Sequence, residues 1–526
     1  MQENPSPRIV PPTGPAEGPP GGPAEDPPAS PAEGPPGDRG PGMRRTQWAG
    51  FIGGAIVFLL ILVLPAPEGL TPTGWRAAGV AALMAVWWMT EAIPITATAL
   101  IPLVFFPALG VLEMPDAAAP YANELIFLFM GGFFIAVTME RWGLHRRIAL
   151  AIVAAVGTSP RQLVLGFMVA TAFISMWISN TATAAMMFPI ALALGEIFRP
   201  SDQEGPYEFG IALMLATAYA ANIGGSATLI GTPPNAVMAG AASEMLGIEI
   251  GFLQWMMVGV PFVIVMLPIS WLLLVYVLYP PGKIAGDAES VLAQQRAALG
   301  RASRGEKSVA VVFTLTALAW VFRSPKELAD VTIPGIQTYL PFVSDGTIAM
   351  AGALALFLIP VDRKRGVFAL DWPTAKKIPW DVLVLFGGGL SLARAMDRSG
   401  LATWIGSGVS GLGSIPPILL IALITTLFVF LTEVTSNTAT STMAMPIMAG
   451  VAAGLGFAPT TLMAVAALSA AMAFMLPVAT PPNAIVFGSG YLTIPQMVRS
   501  GIWMNVVAIV LITVAASTLI PLVLAF

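Results

Sequence analysis

The chain of 526 residues is 56% hydrophobic and only 10% charged, with a formal net charge of −4 and a mean hydropathy of +0.79. A soluble domain carries about 25% charged residues, so most of this chain must be solvated by lipid, and its scattered Lys and Arg leave no nucleic-acid footprint. No cysteine and a single histidine, His145, exclude disulfides, thiolate metal sites and His-cluster metal centres.

In chain order, residues 1–42 are rich in Pro, Gly, Ala and Glu, with Pro-Ala-Glu recurring at Pro15, Pro23 and Pro31. That composition cannot bury a core and predicts an extended tail. It has no apolar h-region of a signal peptide. Apolar stretches of span length, about 20 residues, follow from Trp48 onward. The first, within 43–73, runs near 48–66. A first repeat, 74–279, holds spans near 74–91, 95–112 and 124–141 and an amphipathic connector at 146–157. Two apolar arms, 163–178 and 183–198, then flank Ser179-Asn180-Thr181. Each arm is about 24 Å long at 1.5 Å per residue, short for a bilayer core of about 30 Å. A re-entrant hairpin around 163–199 is therefore expected. A span over 208–245, broken at Gly231–Pro234, and another at 252–279 complete this half.

A polar, basic cytoplasmic linker covers 280–306. The second repeat, 307–526, predicts spans at 307–323, 344–361 and 380–397, and a connector at 399–409. A second hairpin covers 415–452 around Ser436, a broken span 460–490, and a last span 497–525. The expected fold is all-α and polytopic, with about 11 transmembrane helices besides two re-entrant hairpins, two of those helices being broken.

Two alignments relate the halves. Residues 125–147 align with 382–404, and the same offset superposes Ser179-Asn180-Thr181 on Ser436-Asn437-Thr438. An odd number of spans lies between them, so the copies run in opposite directions, as in an inverted-topology repeat. Basic residues on the cytoplasmic side put the N-terminus, His145-Arg146-Arg147, the linker and Arg363–Lys377 inside, and the C-terminus outside. Arg323 and Lys326 fall outside, offset by Glu327 and Asp330.

Polar, Gly- and Pro-broken segments at membrane depth are tolerated where they line an enclosed cavity. Matched interruptions in two halves point to a transporter's central site. The first lobe offers the Ser179 and Thr181 hydroxyls, the Asn180 amide, the carbonyls around Gly231 and the helix start after Pro233-Pro234. The second repeats the set with Ser436, Asn437, Thr438, Ala479, Thr480, Pro482 and Asn483. Hard oxygens suit Na⁺, and helix N-termini suit a carboxylate. Two facing lobes would take a substrate with two anionic ends.

The two Ser-Asn-Thr motifs, the GTPPN and ATPPN breaks and WWMTEAIPITATALIPLVFFP (Trp87–Pro107) resemble the divalent-anion:sodium symporter family, which includes bacterial sodium–dicarboxylate transporters. The resemblance spans everything after the tail. It implies Na⁺-driven uptake of C4-dicarboxylates such as succinate, malate and fumarate, by a homodimer in the inner (plasma) membrane with scaffold and elevator-like transport domains. It assigns a first cation site to Ser175, Ser179, Asn180 and the Gly231 carbonyl, and a second to Thr432, Thr435, Asn437 and the Ala479 carbonyl. The substrate contacts it implies are Ser179, Asn180, Thr181, Thr232, Ser436, Asn437, Thr438, Thr480 and Pro481.

Among ionisable residues, Glu433 lies three positions before Ser436, and a carboxylate at that depth suggests function by default. Its first-lobe counterpart is the apolar Met176, which favours a structural partner for Glu433 over a proton carrier or a field on the second cation site. Arg394 with Asp397, and Glu140 with Arg141, read as interfacial pairs; Glu91 reads as a helix end, and His145 as an interfacial residue. Two alternatives stay open. One is a dicarboxylate exchanger without net Na⁺ coupling; the other is a cation/proton antiporter relying on Glu433. An enzyme is not expected, because no Ser–His pair or aspartate dyad falls within the spans.

Overall fold

The computed structural model describes residues 43–199, 207–282, 288–328, 331–409, 411 and 414–524. The Pro-rich tail, Lys283 and Asp330 lie outside the described residues. From Arg45 onward the described chain forms one unit.

Helices begin where the sequence supplies caps. After α1 (Arg45–Val63), Thr71 accepts from Gly74 N at 2.9 Å and opens α2 (Pro72–Thr90). Glu91 closes α2 in the left-handed region at φ 48°, the helix end expected of it. The stretch expected as one span over 95–112 is instead α3 (Ile95–Thr98) and α4 (Ile101–Ala108). Pro102 is the cause: it has no N–H for the Thr98 carbonyl and its ring clashes with that turn, and Thr98 is where α3 stops. After α5 (Met114–Ala118) and a 3₁₀ turn, α6 (Glu124–Trp142) ends on Gly143, φ 73°. The amphipathic connector is α7 (Leu144–Val156).

The first hairpin is α8 (Pro160–Ser175) and α9 (Asn180–Ile197), opened by a Ser159–Gln162 capping box. Its arms lie about three residues earlier than expected. The broken span is α10 (Glu208–Gly225) and α11 (Pro233–Leu246), so the break begins at Ser226 rather than at Gly231. Next, α12 (Phe252–Leu272) continues into a π-helical turn, Leu273–Leu278, and α13 (Ala288–Ala298) lies in the linker.

The second half begins with α14 (Arg304–Val321), under a Ser303–Glu306 capping box. The antiparallel pair β1 (Lys326–Leu328) and β2 (Val331–Ile333) follows, with Lys326 opposite Ile333. Then come α15 (Ile336–Tyr339), α16 (Asp345–Leu358), the antiparallel pair β3 (Pro360–Asp362) and β4 (Val367–Phe368), and α17 (Trp372–Ala375). The elements of the first half then recur in order as α18 (Trp380–Arg398), α19 (Leu401–Val409), and the hairpin α20 (Pro417–Thr432) and α21 (Asn437–Leu455). The broken span is α22 (Pro459–Ala470) and α23 (Pro481–Phe487), and α24 (Ile494–Ser517) and α25 (Leu519–Leu524) end the chain. The first arms of the two hairpins, α8 and α20, are both 16 residues long.

Among the described residues six helical runs are long and apolar enough to cross a membrane: Arg45–Val63, Met114–Trp142, Asn180–Ile197, Phe252–Leu278, Asn437–Leu455 and Ile494–Ser517. Two of these are second arms of hairpins. The larger buried core joins α6 through α12 to α16 and α20 through α24, and a smaller one packs Trp88, Met84 and Phe106 against Leu392 and Met396 of α18.

Several charges find partners other than those expected. Arg394 reaches Glu244 and Asp116 rather than Asp397. Arg141 pairs with Asp371 at 2.7 Å rather than with Glu140, since adjacent helical residues point apart. Arg323 takes Asp345 at 3.0 Å. Burial raises the Asp371 carboxyl, but the Thr374 hydrogen bonds and Arg141 outweigh it and hold it below the usual carboxylate range. His145, expected at the interface, is 8% exposed, with Nδ1 3.1 Å from the Met139 carbonyl. It covers one of the last carbonyls of α6, a favoured place for a histidine.

Candidate functional site

Both hairpins turn in four residues, Met176–Ser179 and Glu433–Ser436, and both restart on an asparagine. Ser179 and Ser436 are the N-caps. Ser179 Oγ accepts from Ala182 N at 3.3 Å, whereas Ser436 makes no side-chain cap. The first N–H groups of a helix have no partner within it, so each tip presents backbone donors beside a Ser-Asn-Thr triplet. Thr181 is exposed, and Asn180, Asn437 and Thr438 are half-buried.

Behind each tip the asparagine bridges the arms. In the first lobe Ser175 Oγ donates to the Ala221 carbonyl at 2.7 Å and accepts from the Asn180 amide nitrogen at 2.9 Å. In the second, Thr432 Oγ1 donates to the Asn437 amide oxygen at 2.7 Å and reaches the Ala470 carbonyl at 2.8 Å. The inward end of the Asn180 amide also lies 3.1 Å from the Ala221 carbonyl and 3.3 Å from the Gly231 carbonyl. The hydrogen-bond network places the amide nitrogen inward, where it donates to the Ser175 hydroxyl and to both carbonyls, and the cluster satisfies itself. A hard monovalent cation would need the amide oxygen turned inward in its place, completing a set of four oxygens. No formal charge is needed in either case. Thr435 stands apart: its hydroxyl pairs with Thr440 Oγ1 at 2.6 Å and with the Leu431 carbonyl at 2.7 Å.

The two breaks are built alike. Thr232 and Thr480 cap the restarting helices with nearly the same backbone, φ −144° and ψ 143° against φ −142° and ψ 151°. Both are buried, with Gly231 and Ala479 just before them, while Pro481 is exposed. The asparagines that close the TPPN phrases tie each break together. Asn235 Nδ2 donates to the Gly225 and Thr228 carbonyls at 3.1 and 2.7 Å, and Asn483 Nδ2 to the Ala473 and Leu476 carbonyls at 3.2 and 3.0 Å. Close approach in the first lobe requires glycine. A Cβ on Gly225 would run into the Asn180 side chain, and one on Gly231 into the Gly225 carbonyl.

Glu433 is 3% exposed and has a structural partner set. Its carboxylate accepts from Phe474 N at 2.7 Å, Met475 N at 3.0 Å, Leu476 N at 3.3 Å and Asn505 Nδ2 at 2.8 Å. It therefore caps the amides of the second break. The first lobe substitutes a hydrogen bond from the Thr228 hydroxyl to the Met176 carbonyl. Sequence reasoning missed Asn222 and Asn505. Each is a fully buried amide flanked by apolar residues in its helix, and an amide in such a setting was the available signal.

The lobes also meet. α9 packs on α23 and α11 on α21, so the second arm of each hairpin touches the restarting helix of the other lobe.

Residues 45–525 match the family model described as the sodium:sulfate symporter transmembrane region. The chain belongs to this family, the divalent-anion:sodium symporters. It is 42% identical over 485 residues to the sodium-dependent dicarboxylate transporter SdcS of Staphylococcus saprophyticus, covering 91% of this chain and 92% of that one. It is also 42% identical over 488 residues to SdcS of Staphylococcus aureus (strain USA300), with the same coverage. The crystal structure of the Alcanivorax borkumensis YdaH transporter shares the fold at a TM-score of 0.57 and 14% identity, covering 85% of this chain and 99% of that one. The family is one of multi-pass membrane transporters, so the chain is a transporter and not an enzyme.

Proposed function

We propose that this family member imports C4-dicarboxylates such as succinate, malate and fumarate, driven by inward Na⁺ flow. The observation that carries the reading is the matched pair of bridges at Asn180 and Asn437. Each ties a hairpin tip to the carbonyls of a broken span, beside helix starts that offer N–H donors. Such paired sites give a cation and a carboxylate adjacent places in each lobe, and two relatives are named sodium-dependent dicarboxylate transporters. In this reading Ser175, Asn180 and the Gly231 carbonyl hold one Na⁺. Thr432, Asn437 and the Ala479 carbonyl hold another, with Ser179 and Thr435 as flanking hydroxyls. Asn180, Thr181 and Thr232 meet one carboxylate, and Asn437, Thr438, Thr480 and Pro481 the other, with Ser436 at the second tip.

The repeats at 74–279 and 307–526 would then be inverted. They would work as a homodimeric elevator in the inner (plasma) membrane, N-terminus cytoplasmic and C-terminus outside. Uptake into proteoliposomes with and without an inward Na⁺ gradient, over a panel of succinate, malate, fumarate, citrate and sulfate, tests the reading. Succinate uptake unchanged by removing Na⁺ would leave an exchanger, and uptake of sulfate alone would overturn the substrate class. Among the described residues every hydrogen-bond partner of Glu433 is an N–H donor, which favours a structural role for it over the antiporter alternative.

A further inference from the structure

One hydrogen-bonded side chain crosses between the lobes at the site itself. Asn222 lies in α10, fully buried, directly after the Ala221 carbonyl that receives Ser175. Its Nδ2 donates to the Ala473 carbonyl at 3.0 Å and to Thr480 Oγ1 at 3.2 Å, partners 251 and 258 residues away. The Ala473 carbonyl can only accept, so it fixes which end of the amide faces the second lobe. The repeat does not return the favour. The alanine carbonyls that receive Ser175 and Thr432 are those of Ala221 and Ala470, so the residue matching Asn222 is Ala471, which has no polar side chain.

The consequence falls on the Thr480 hydroxyl. A hydroxyl has two acceptor lone pairs and one proton to give. Thr480 Oγ1 accepts from Asn222 Nδ2 at 3.2 Å and from Asn483 N at 3.4 Å, and among the described residues it donates to none. Both lone pairs are engaged, and its proton is left for a ligand oxygen. Thr232, the first-lobe counterpart, makes no such side-chain cap.

We propose that Asn222 is a positioning residue that commits the Thr480 hydroxyl to donating to a substrate carboxylate, and that it does so from the opposite lobe. The inference rests on the reading of Thr480 as a carboxylate contact. Without Asn222 one lone pair is freed, the hydroxyl can turn, and a second acceptor-seeking orientation competes with the one the carboxylate needs. The first lobe thereby takes part in shaping the second carboxylate site, and the two ends of a dicarboxylate are not read independently.

The test is a double-mutant cycle on purified protein in proteoliposomes, reading KM and kcat for Na⁺-driven succinate uptake and the thermal midpoint in detergent. N222A is expected to raise KM roughly tenfold, the scale of one hydrogen bond to a charged group, with kcat within about twofold of wild type. T480V, which keeps the shape and removes the hydroxyl, should raise KM at least as much. N222A/T480V should match T480V alone, because Asn222 acts through the group already removed. If N222A yields no folded protein, N222S, which ends one bond short of the amide nitrogen, is read in its place. Three results overturn the inference alone: N222A with an unchanged KM while T480V is impaired; KM effects that add in the double variant; or a loss confined to kcat and thermal midpoint. T480V with an unchanged KM would instead remove Thr480 from the substrate site, and with it the reading beneath the inference.

Discussion

The Thr432 hydroxyl donates to the Asn437 amide oxygen at 2.7 Å, joining the last residue of one hairpin arm to the first residue of the next. Ser175 and Asn180 bridge the other hairpin at 2.9 Å, there with the amide nitrogen donating to the hydroxyl. A four-residue turn on its own leaves the asparagine free to rotate, and the bridge holds its amide against the break.

Asn180→Ala and Asn437→Ala should therefore each abolish or severely impair uptake. Each removes the group common to the proposed cation cluster and the helix start. Folded protein should remain in the membrane, because both residues are half-buried and not core. Size-exclusion profiles and radiolabelled uptake check this, and wild-type rates in both would refute the site.

S175A and T432V remove only the bridging hydroxyl. Each should raise the Na⁺ concentration for half-maximal uptake several-fold, on the scale of one hydrogen bond of about 1 kcal/mol. A shift in succinate KM at saturating Na⁺ should be much smaller. Na⁺ titrations of uptake in the two variants decide it.

Much of this arrangement was legible in the sequence. The repeated Ser-Asn-Thr, with its equally spaced apolar arms, located both hairpins to within about three residues, and the TPPN phrases located both broken spans. The split between α3 and α4 was also readable, since Pro102 stands in plain view. The apolar run around it continues unbroken and masks the break. The partners of Glu433 were not legible. They are backbone amides 41 to 43 residues away and Asn505, 72 residues away, and backbone donors leave no mark in a sequence. The partners of Arg394 are hidden for a related reason. The nearest opposite charge along the chain was Asp397, but the folded partners, Glu244 and Asp116, come from α11 and α5.

Glu433→Gln should act as a structural lesion. It sets an amide donor among N–H groups that need an acceptor, and a buried unsatisfied donor costs about 1–3 kcal/mol. A lower thermal midpoint is expected, with residual transport whose ratio to wild type stays flat from pH 6 to 8. A ratio that changes steeply with pH would restore a proton-carrying role.

Gly225→Ala should impair transport strongly, because its Cβ would meet the Asn180 side chain. Gly231→Ala would press on the Gly225 carbonyl, where overpacking costs about 1–3 kcal/mol. Gly53→Ala in α1, with open space around the added Cβ, is the control and should be silent. Uptake rate and thermal midpoint compared across the three variants test this.

If each lobe takes one carboxylate, as proposed, the protein favours a substrate with both carboxyls ionised. As pH falls and succinate becomes the monoanion, apparent affinity referred to total succinate should weaken, while affinity referred to the dianion stays constant. KM measured at several pH values, with Na⁺ saturating, distinguishes this from a carrier that prefers the monoanion.

The Asn180 amide turns its nitrogen to the Ser175 hydroxyl and to the carbonyls of Ala221 and Gly231. Oxygens gathered alone would repel one another, and the amide hydrogens satisfy them instead. If Na⁺ is held here as proposed, its arrival must displace those hydrogens and bring the amide oxygen inward, so the ion competes with a donor the protein already supplies.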